Sequence, residues 1–175
     1  TSTLKKNGPE LVGEVNEVNI HLGNIPARSL LDTGSCVSVV AESFYKEHLQ
    51  DLELKPVGEI LNIECADGQK LPYKGYIESD IIIDSGLPKA KSLPCLLLVS
   101  PDTGFSSRTP VILGTNVLRE LMTECQENFG DQYLQRAQIH TPWFLCFRAI
   151  NIRDKELKRN NNRLAVIRCA VNHKV

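Results

Sequence analysis

The segment Leu-Leu-Asp-Thr-Gly-Ser-Cys-Val-Ser-Val-Val at residues 30–40 constrains the fold more than any other stretch of the sequence. It sets Asp32 between two apolar runs, and Gly34 allows the chain to turn sharply between them. A lone carboxylate in apolar surroundings takes up a proton unless hydrogen bonds or a partner stabilise its charge. The segment therefore predicts a buried strand that ends in a tight loop, and this loop carries a carboxylate with a chemical role.

Two further Asp-(Thr/Ser)-Gly triplets occur, at residues 84–86 and 102–104. Asp84 follows an apolar run, but the Gly-Leu-Pro-Lys that comes after it is typical of a solvated hairpin turn. Asp102 follows Ser-Pro in a polar stretch and is predicted to lie in a surface Asx or type I turn. Only Asp32 is therefore expected to be functional.

The first 125 residues alternate between short extended runs and turn residues, which predicts a mostly β domain. The predicted elements are a hairpin over residues 18–32, a helix over 41–49, a hairpin around Asp67-Gly68, strands over 92–99 and 111–114, and a helix over 116–125. One short helix near the middle and one at the end are the only helices predicted in this part of the chain.

The remainder of the chain is read as an extension of that domain. It is predicted to contain a helix over residues 127–139, a strand over 142–150, a charged Asn-rich linker over 153–163 and a strand over 164–171. The sequence thus divides into a flexible segment at 1–10, a domain at 11–126 and a C-terminal extension of helix plus strands at 127–175.

Composition excludes several classes of protein. The formal net charge of −1 argues against the basic surface that nucleic acids or an anionic membrane would require. No apolar run approaches the roughly 18 residues of a membrane span, and the polar start of the chain does not resemble a signal peptide. The 6 cysteines include no CxxC pair and are expected to be reduced core thiols. We therefore expect a soluble, cytoplasmic protein without a metal or cofactor.

Three motifs occur in an order that resembles the retropepsin family of aspartic proteases. They are the Leu-Leu-Asp-Thr-Gly-Ser segment, Cys-Ala-Asp-Gly at residues 65–68, and Ile-Leu-Gly at 112–114 followed by a helix. The sequence is most similar in type to the proteases of Ty3/gypsy retrotransposons and their domesticated relatives, over roughly residues 10 to 125. The resemblance implies a closed β-barrel protomer with short helices, which is active only as a homodimer because each chain supplies one aspartate.

The resemblance further implies an aspartic endopeptidase that acts on a peptide or polyprotein. Its catalytic residues would be Asp32, Thr33 and Gly34, and its substrate-binding residues Ser35, Val37, Ala66, Asp67, Gly68 and Ile112, with residues 66–68 at the tip of a flap. Thr33 would interlock with its counterpart in the other chain. The N–H of Gly34 and the hydroxyl of Ser35 would bind the Asp32 carboxylate. The protein would then work in the cytoplasm, including in particles assembled from its own polyprotein.

The sequence departs from the retroviral pattern where many members carry an ion pair. Cys36 and Thr115 stand at the two positions where those proteins place an acid and an arginine. Because both charges are absent together, neither leaves an unpaired buried charge, so this departure does not argue against the fold. It bears instead on how tightly two chains associate. The C-terminal extension is open to three interpretations: it completes the dimer sheet, covers the core, or begins the next module of a polyprotein.

Two other functions remain compatible with the sequence. A domesticated retropepsin fold could be catalytically silent and serve in binding or assembly, although the intact Asp32 triplet argues against this. A metal- or cofactor-dependent enzyme of unrelated type would need a ligand cluster or a phosphate-binding glycine loop, and neither pattern occurs in the sequence.

Overall fold

The computed structural model describes residues 16–59, 73–83, 91–135 and 142–172. Within these ranges the strands are β1 (Glu17–Leu22), β2 (Ile25–Leu31), β3 (Ser38–Ala41), β4 (Gly75–Ile83), β5 (Lys91–Ser100) and β6 (Val111–Leu113). The α-helices are α1 (Glu42–His48), α2 (Thr115–Phe129) and α3 (Pro142–Asn172), and short 3-10 turns occur at Val57–Glu59 and Tyr133–Gln135.

The strands close into a barrel in the order β1, β2, β6, β3, β5, β4. Strands β2 and β6 are parallel, as are β3 and β5, whereas the other neighbouring pairs are antiparallel. Gly23 turns the chain between β1 and β2 with a φ of 58°, a left-handed conformation that favours glycine. The predicted closed β-barrel is therefore confirmed.

The core is apolar because alternate side chains of each strand point into the barrel. Strand β1 buries Val18, Ile20 and Leu22, and β6 buries Val111 and Leu113. The same cluster of buried side chains includes residues of α2 and of the first half of α3, namely Val117, Leu118, Leu121, Cys125, Trp143, Phe144, Cys146, Phe147 and Ile150. The two helices thus extend the core of the barrel.

Most predicted elements of the first 125 residues are confirmed. The hairpin over residues 18–32 is β1–β2, the helix over 41–49 is α1, and the strands over 92–99 and 111–114 are β5 and β6. The helix over 116–125 is α2. The Asp67-Gly68 turn lies outside the described residues, although β4 lies within the second of its two predicted arms.

The predictions for the secondary structure of the C-terminal extension are wrong. The predicted helix over 127–139 does not form as one helix, because α2 ends at Phe129 and a separate 3-10 turn follows at Tyr133–Gln135; residues 136–139 lie outside the described residues. The predicted strands over 142–150 and 164–171, and the linker over 153–163, all belong to α3, which is 31 residues long. In the first of these runs the buried residues Trp143, Phe147 and Ile150 are spaced three or four apart, as on one face of a helix. The prediction failed because a short apolar run is compatible with a buried helix as well as with a strand. The division into a domain at 11–126 and an extension stays a prediction.

Within the described ranges, only the first part of α3 packs against the rest of the protomer. Every side chain from residue 155 to residue 169, which we call the free half of α3, is exposed. Charged residues interrupt this segment, and none of the helices that the structure describes is both long and apolar enough to cross a membrane. The free half therefore extends from the barrel without packing against any other part of the chain that the structure describes.

The cysteines that the structure describes are free thiols. Cys95, Cys125 and Cys146 are buried, as predicted for core thiols, whereas Cys36 and Cys169 are exposed. The prediction is wrong for these two, because Cys36 lies in a loop and Cys169 lies in the free half of α3.

Candidate active site

Asp32 lies directly beyond the carboxyl end of β2, beside the end of β6. Leu31 is in register with Leu113 of the parallel strand β6, and the N–H of Asp32 donates to the carbonyl of Leu113 at 2.9 Å. The Asp32 side chain is half-buried. The barrel therefore fixes the backbone of Asp32 and leaves its carboxylate at a partly open end of two strands.

The triplet forms a tight loop around its own carboxylate. The N–H of Gly34 donates to Oδ1 of Asp32 at 2.8 Å, as the family resemblance implied. A β-carbon on Gly34 would lie 3.2 Å from the same oxygen, which is closer than most real contacts of this kind. Glycine thus lets the backbone donor approach, and this donor orients the carboxylate.

The loop rests on the junction between β6 and α2. The N–H of Thr115 donates to the carbonyl of Ser35 at 2.7 Å. A β-carbon on Gly114 would lie 2.2 Å from the carbonyl oxygen of Val37 and 2.7 Å from that of Ser35. These contacts are with backbone atoms that cannot rotate away, so only glycine fits at position 114.

A buried hydroxyl ties β3 to the same junction. Ser38 has a relative exposure of 0%. Its Oγ accepts from the N–H of Gly114 at 3.0 Å and donates to Oδ1 of Asn116 at 2.7 Å. The two ends of the Asp32 loop are thus both held against the start of α2.

We expect Ser38→Ala to lower the free energy of unfolding by about 1–3 kcal/mol, because it leaves the buried N–H of Gly114 without its acceptor. Urea unfolding followed by circular dichroism measures the change. Ser29→Ala is a matched control, since Ser29 is equally buried but its hydroxyl donates only to the adjacent Leu30 carbonyl at 3.4 Å. Equal losses in the two variants would contradict the role assigned to Ser38.

Helix α3 contacts the triplet from the C-terminal extension, which the sequence did not predict. Nη1 of Arg153 donates to the carbonyl of Thr33 at 2.6 Å. Cys146 has a relative exposure of 1%. Burial, with a smaller contribution from the charge of Asp32, raises the pKa of its thiol to about 11. The first half of α3 therefore lies close to the candidate catalytic loop.

A bidentate ion pair fixes α3 to α2 one residue beyond this contact. The two terminal nitrogens of Arg119 donate to the two carboxylate oxygens of Asp154 at 2.8 and 2.9 Å. The hydrogen bond from Arg119 lowers the pKa of Asp154, and the charge of Arg153 contributes in the same direction. The pair thus helps to hold Arg153 where it meets Thr33.

This ion pair makes a pH-dependent contribution to stability. Because the folded state lowers the pKa of Asp154, the contribution is present above the ordinary value of 3.8 and is lost as the pH falls through the lowered pKa. Both side chains are partly exposed, so we expect Asp154→Asn to cost at most about 1 kcal/mol at pH 7. Urea unfolding of both proteins at pH 7 and in acid tests this, and a difference that grows in acid would contradict it.

The structure brings together those predicted site residues that it describes. Asp32, Thr33, Gly34, Ser35 and Val37 lie in one loop between β2 and β3. Ile112 lies on the neighbouring strand β6, in register with Leu30 of β2. Ala66, Asp67 and Gly68 of the predicted flap lie outside the described residues.

One predicted contact within the loop is wrong. The hydroxyl of Ser35 donates to the carbonyl of Val37 at 2.8 Å rather than to Asp32. The N–H of Val37 in turn points to the same hydroxyl at 3.4 Å. Ser35 therefore closes the turn that follows the triplet, because a short hydroxyl side chain readily bonds to backbone two residues away.

The other triplet that the structure describes has a different place and role. Asp102 is exposed and follows the end of β5. The last residue of β5, Ser100, is in register with Ala41 at the end of β3 that is farther from the Asp32 loop. Its Oδ1 accepts from the N–H of Ser43 in the first turn of α1 at 3.0 Å, and this hydrogen bond lowers the pKa of Asp102. Asp102 is thus a surface residue, as predicted, and it stabilises α1. Asp84 lies outside the described residues.

Of the two residues at the missing ion pair, Thr115 makes a backbone hydrogen bond to the residue before the other. Thr115 stands next to Gly114 and bonds through its N–H to Ser35, the neighbour of Cys36. Among the residues that the structure describes, no group of three or more acidic, histidine or cysteine side chains could hold a metal ion.

No protein-family model matches the sequence, and no curated protein matches it. The fold is similar to the retroviral protease-like domain of Ddi1 from Leishmania major, with a TM-score of 0.43 and 14% identity over 62% of this chain and 76% of that one. EIAV protease complexed with the inhibitor HBY-793 has a TM-score of 0.40 and 19% identity, over 65% of this chain and 94% of that one. Simian foamy virus (mac) protease has a TM-score of 0.39 and 15% identity, over 61% of this chain and 94% of that one. At these values the likeness carries no information on activity.

Proposed function

We propose that the protein is an aspartic endopeptidase in which the Asp32 carboxylates of two identical chains activate one water molecule. The observation that carries the proposal is the Asp32 loop itself. A half-buried carboxylate stands at the end of two parallel strands, and a backbone N–H 2.8 Å away orients one of its oxygens. A carboxylate that the barrel and its own loop hold in a fixed, partly open position is a candidate general base.

Two carboxylates at close range provide both an acid and a base. They cannot both ionise, so the pair shares one proton and titrates as a unit, as in aspartic proteases generally. The ionised carboxylate takes a proton from the water, which attacks the carbonyl carbon of the peptide bond. The protonated carboxylate polarises the carbonyl oxygen and then helps to protonate the leaving nitrogen. No metal or cofactor takes part in this reaction.

The second carboxylate is proposed to come from a second copy of the chain. In the part of the chain that the structure describes, the only other Asp-Thr-Gly triplet is occupied in stabilising α1. A two-fold axis beside the loop would bring Asp32 against its counterpart, and Thr33 would meet its counterpart in the same interface. A symmetric homodimer is therefore the simplest assembly that completes the site.

The substrate is proposed to be an extended peptide with apolar side chains. Val37 and Ile112 are half-buried apolar residues on the loop and on the strand beside it. An extended peptide can satisfy its backbone groups against strand edges and place alternate side chains in such pockets. Residues 66–68 would cover the peptide as a flap. Processing of a polyprotein from a Ty3/gypsy-type element, in the cytoplasm, is the biological role that this activity would serve.

Incubation of the purified chain with a peptide library at mildly acidic pH tests the proposal, with products identified by mass spectrometry. We expect cleavage between apolar residues, and we expect pepstatin to inhibit it. Cleavage that resists pepstatin and persists without Asp32 would contradict the assignment. A folded dimer that cleaves no peptide would instead favour the catalytically silent alternative, a retropepsin-like fold that serves in binding or assembly.

A further inference from the structure

We propose that the free half of α3 pairs with the same segment of a second copy and so holds the two Asp32 loops together. The inference rests on the proposed function, because that function requires two copies of the loop. It goes beyond that function by assigning the contact that joins the copies to a helix outside the barrel.

The free half exposes large apolar side chains that no described residue of the protomer covers. Leu157, Leu164 and Ile167 have relative exposures of 53%, 51% and 57%. An isolated helix of this length is marginal in water, because most helical stability in proteins comes from packing of an apolar face. The free half therefore needs a partner, and its apolar side chains are the surface available for one.

The apolar side chains form a stripe with the spacing of a coiled coil. Ile150, Leu157 and Leu164 are seven residues apart, at three successive a positions of a heptad repeat, and Ile167 follows Leu164 at a d position. The two earlier d positions carry the polar residues Arg153 and Asn160, so the stripe is apolar mainly along its a positions. Ile150 is buried in the core of the protomer, whereas the two leucines continue the same face into solvent. A second identical helix fits this stripe, because a heptad seam packs against another seam of the same period.

The position of α3 points to a second copy as the partner. Arg153 contacts Thr33 immediately before the free half begins. Any two-fold axis that brings two Asp32 carboxylates together passes close to both Thr33 residues. Both copies of α3 would therefore lie beside that axis at Arg153, and the two free halves would start next to each other.

The charges of the free half allow this pairing and predict its response to salt. Lys155, Lys158 and Arg159 fall at outer heptad positions, away from the seam. Arg163 and Arg168 flank the seam, and in a parallel pair each approaches the other residue of the second copy. Their repulsion is screened by salt, so the dimer is expected to tighten as ionic strength rises. If this basic segment bound a nucleic acid rather than a second copy, rising salt would weaken that binding.

Analytical ultracentrifugation of the full chain tests the inference with two matched double variants. Leu157→Gln with Leu164→Gln removes the seam, and we expect dimerisation at least about 100-fold weaker. Ile152→Gln with Val166→Gln removes exposed apolar side chains from the opposite face and should leave dimerisation unchanged. All four side chains are exposed, so we expect both variants to fold. Circular dichroism checks that they do.

The outcomes separate this inference from the proposed function. Dimerisation lost only in the seam variant supports the inference, even if the wild-type dimer cleaves no peptide. Three results would overturn it. The seam variant could dimerise as tightly as wild type, the control variant could lose as much dimerisation as the seam variant, or rising salt could weaken the wild-type dimer. If both proposals hold, the seam variant should regain activity at high protein concentration.

Discussion

Replacement of Asp32 by asparagine is expected to abolish peptide hydrolysis, with a loss of at least about 10²–10⁴-fold in rate. An amide can neither accept a proton from water nor share one with the partner carboxylate. The fold should survive, because the amide oxygen of asparagine can still accept the N–H of Gly34 that now bonds to Oδ1 at 2.8 Å. The rate of hydrolysis of a library-derived peptide, measured well above the dimer dissociation constant, tests the prediction.

The same substitution in the other two triplets provides the control. Asp102→Asn should keep most of the activity, because the Asp102 carboxylate is exposed and only stabilises the first turn of α1 through Ser43. Asp84→Asn is predicted from the sequence to behave in the same way. If either control variant stays folded and dimeric but loses activity, Asp32 is not the sole catalytic carboxylate of the chain.

The sequence was most informative where turn residues bound short apolar runs. The β1–β2 hairpin is marked by alternating residues on both sides of Gly23, and β6 with α2 is marked by a strand-like run, Gly114 and then helical spacing. In both places local preference and the packing of the barrel agree. Such agreement is what makes a local prediction reliable.

The sequence was least informative in α3. Its first part is a short apolar run that suits a strand or a helix equally, and its second part is rich in charge and asparagine, as linkers are. The helix forms because Trp143, Phe144 and Phe147 enter the core, and the remaining turns continue from this anchored start. That stabilisation comes from tertiary contacts, which no local window of sequence contains.

The candidate site divides in the same way. Asp32 and Gly34 could be predicted because an acidic residue and a glycine at the end of an apolar run have few structural explanations. Ser38 and Arg153 could not, because their roles depend on partners far away in the sequence, Gly114 and Thr33. The triplet is thus readable locally, whereas the residues that position it are visible only in three dimensions.

Gly114→Ala is expected to cost about 3 kcal/mol or more of the free energy of unfolding. The added β-carbon would lie 2.2 Å from the carbonyl oxygen of Val37 and 2.7 Å from that of Ser35, and both are backbone atoms. To relieve the contact, the Asp32 loop would have to move away from the start of α2. That movement would break the bonds that Ser38 and Thr115 now make across the junction, so peptidase activity should fall with stability. Urea unfolding at one fixed protein concentration, with a peptidase assay on the folded fraction, measures both effects.

Two other glycines separate this steric effect from the general effect of adding a methyl group. Gly104→Ala should be neutral or slightly stabilising, because no atom lies within 4 Å of the added carbon and glycine costs entropy on folding. Gly34→Ala should fall between the two, since its β-carbon would lie 3.2 Å from Oδ1 of Asp32, a side-chain atom that can shift. It should therefore lower activity more than stability, because the carboxylate moves while the junction beneath it stays intact. A Gly114→Ala protein as stable as Gly104→Ala would show that the loop does not rest on the β6–α2 junction.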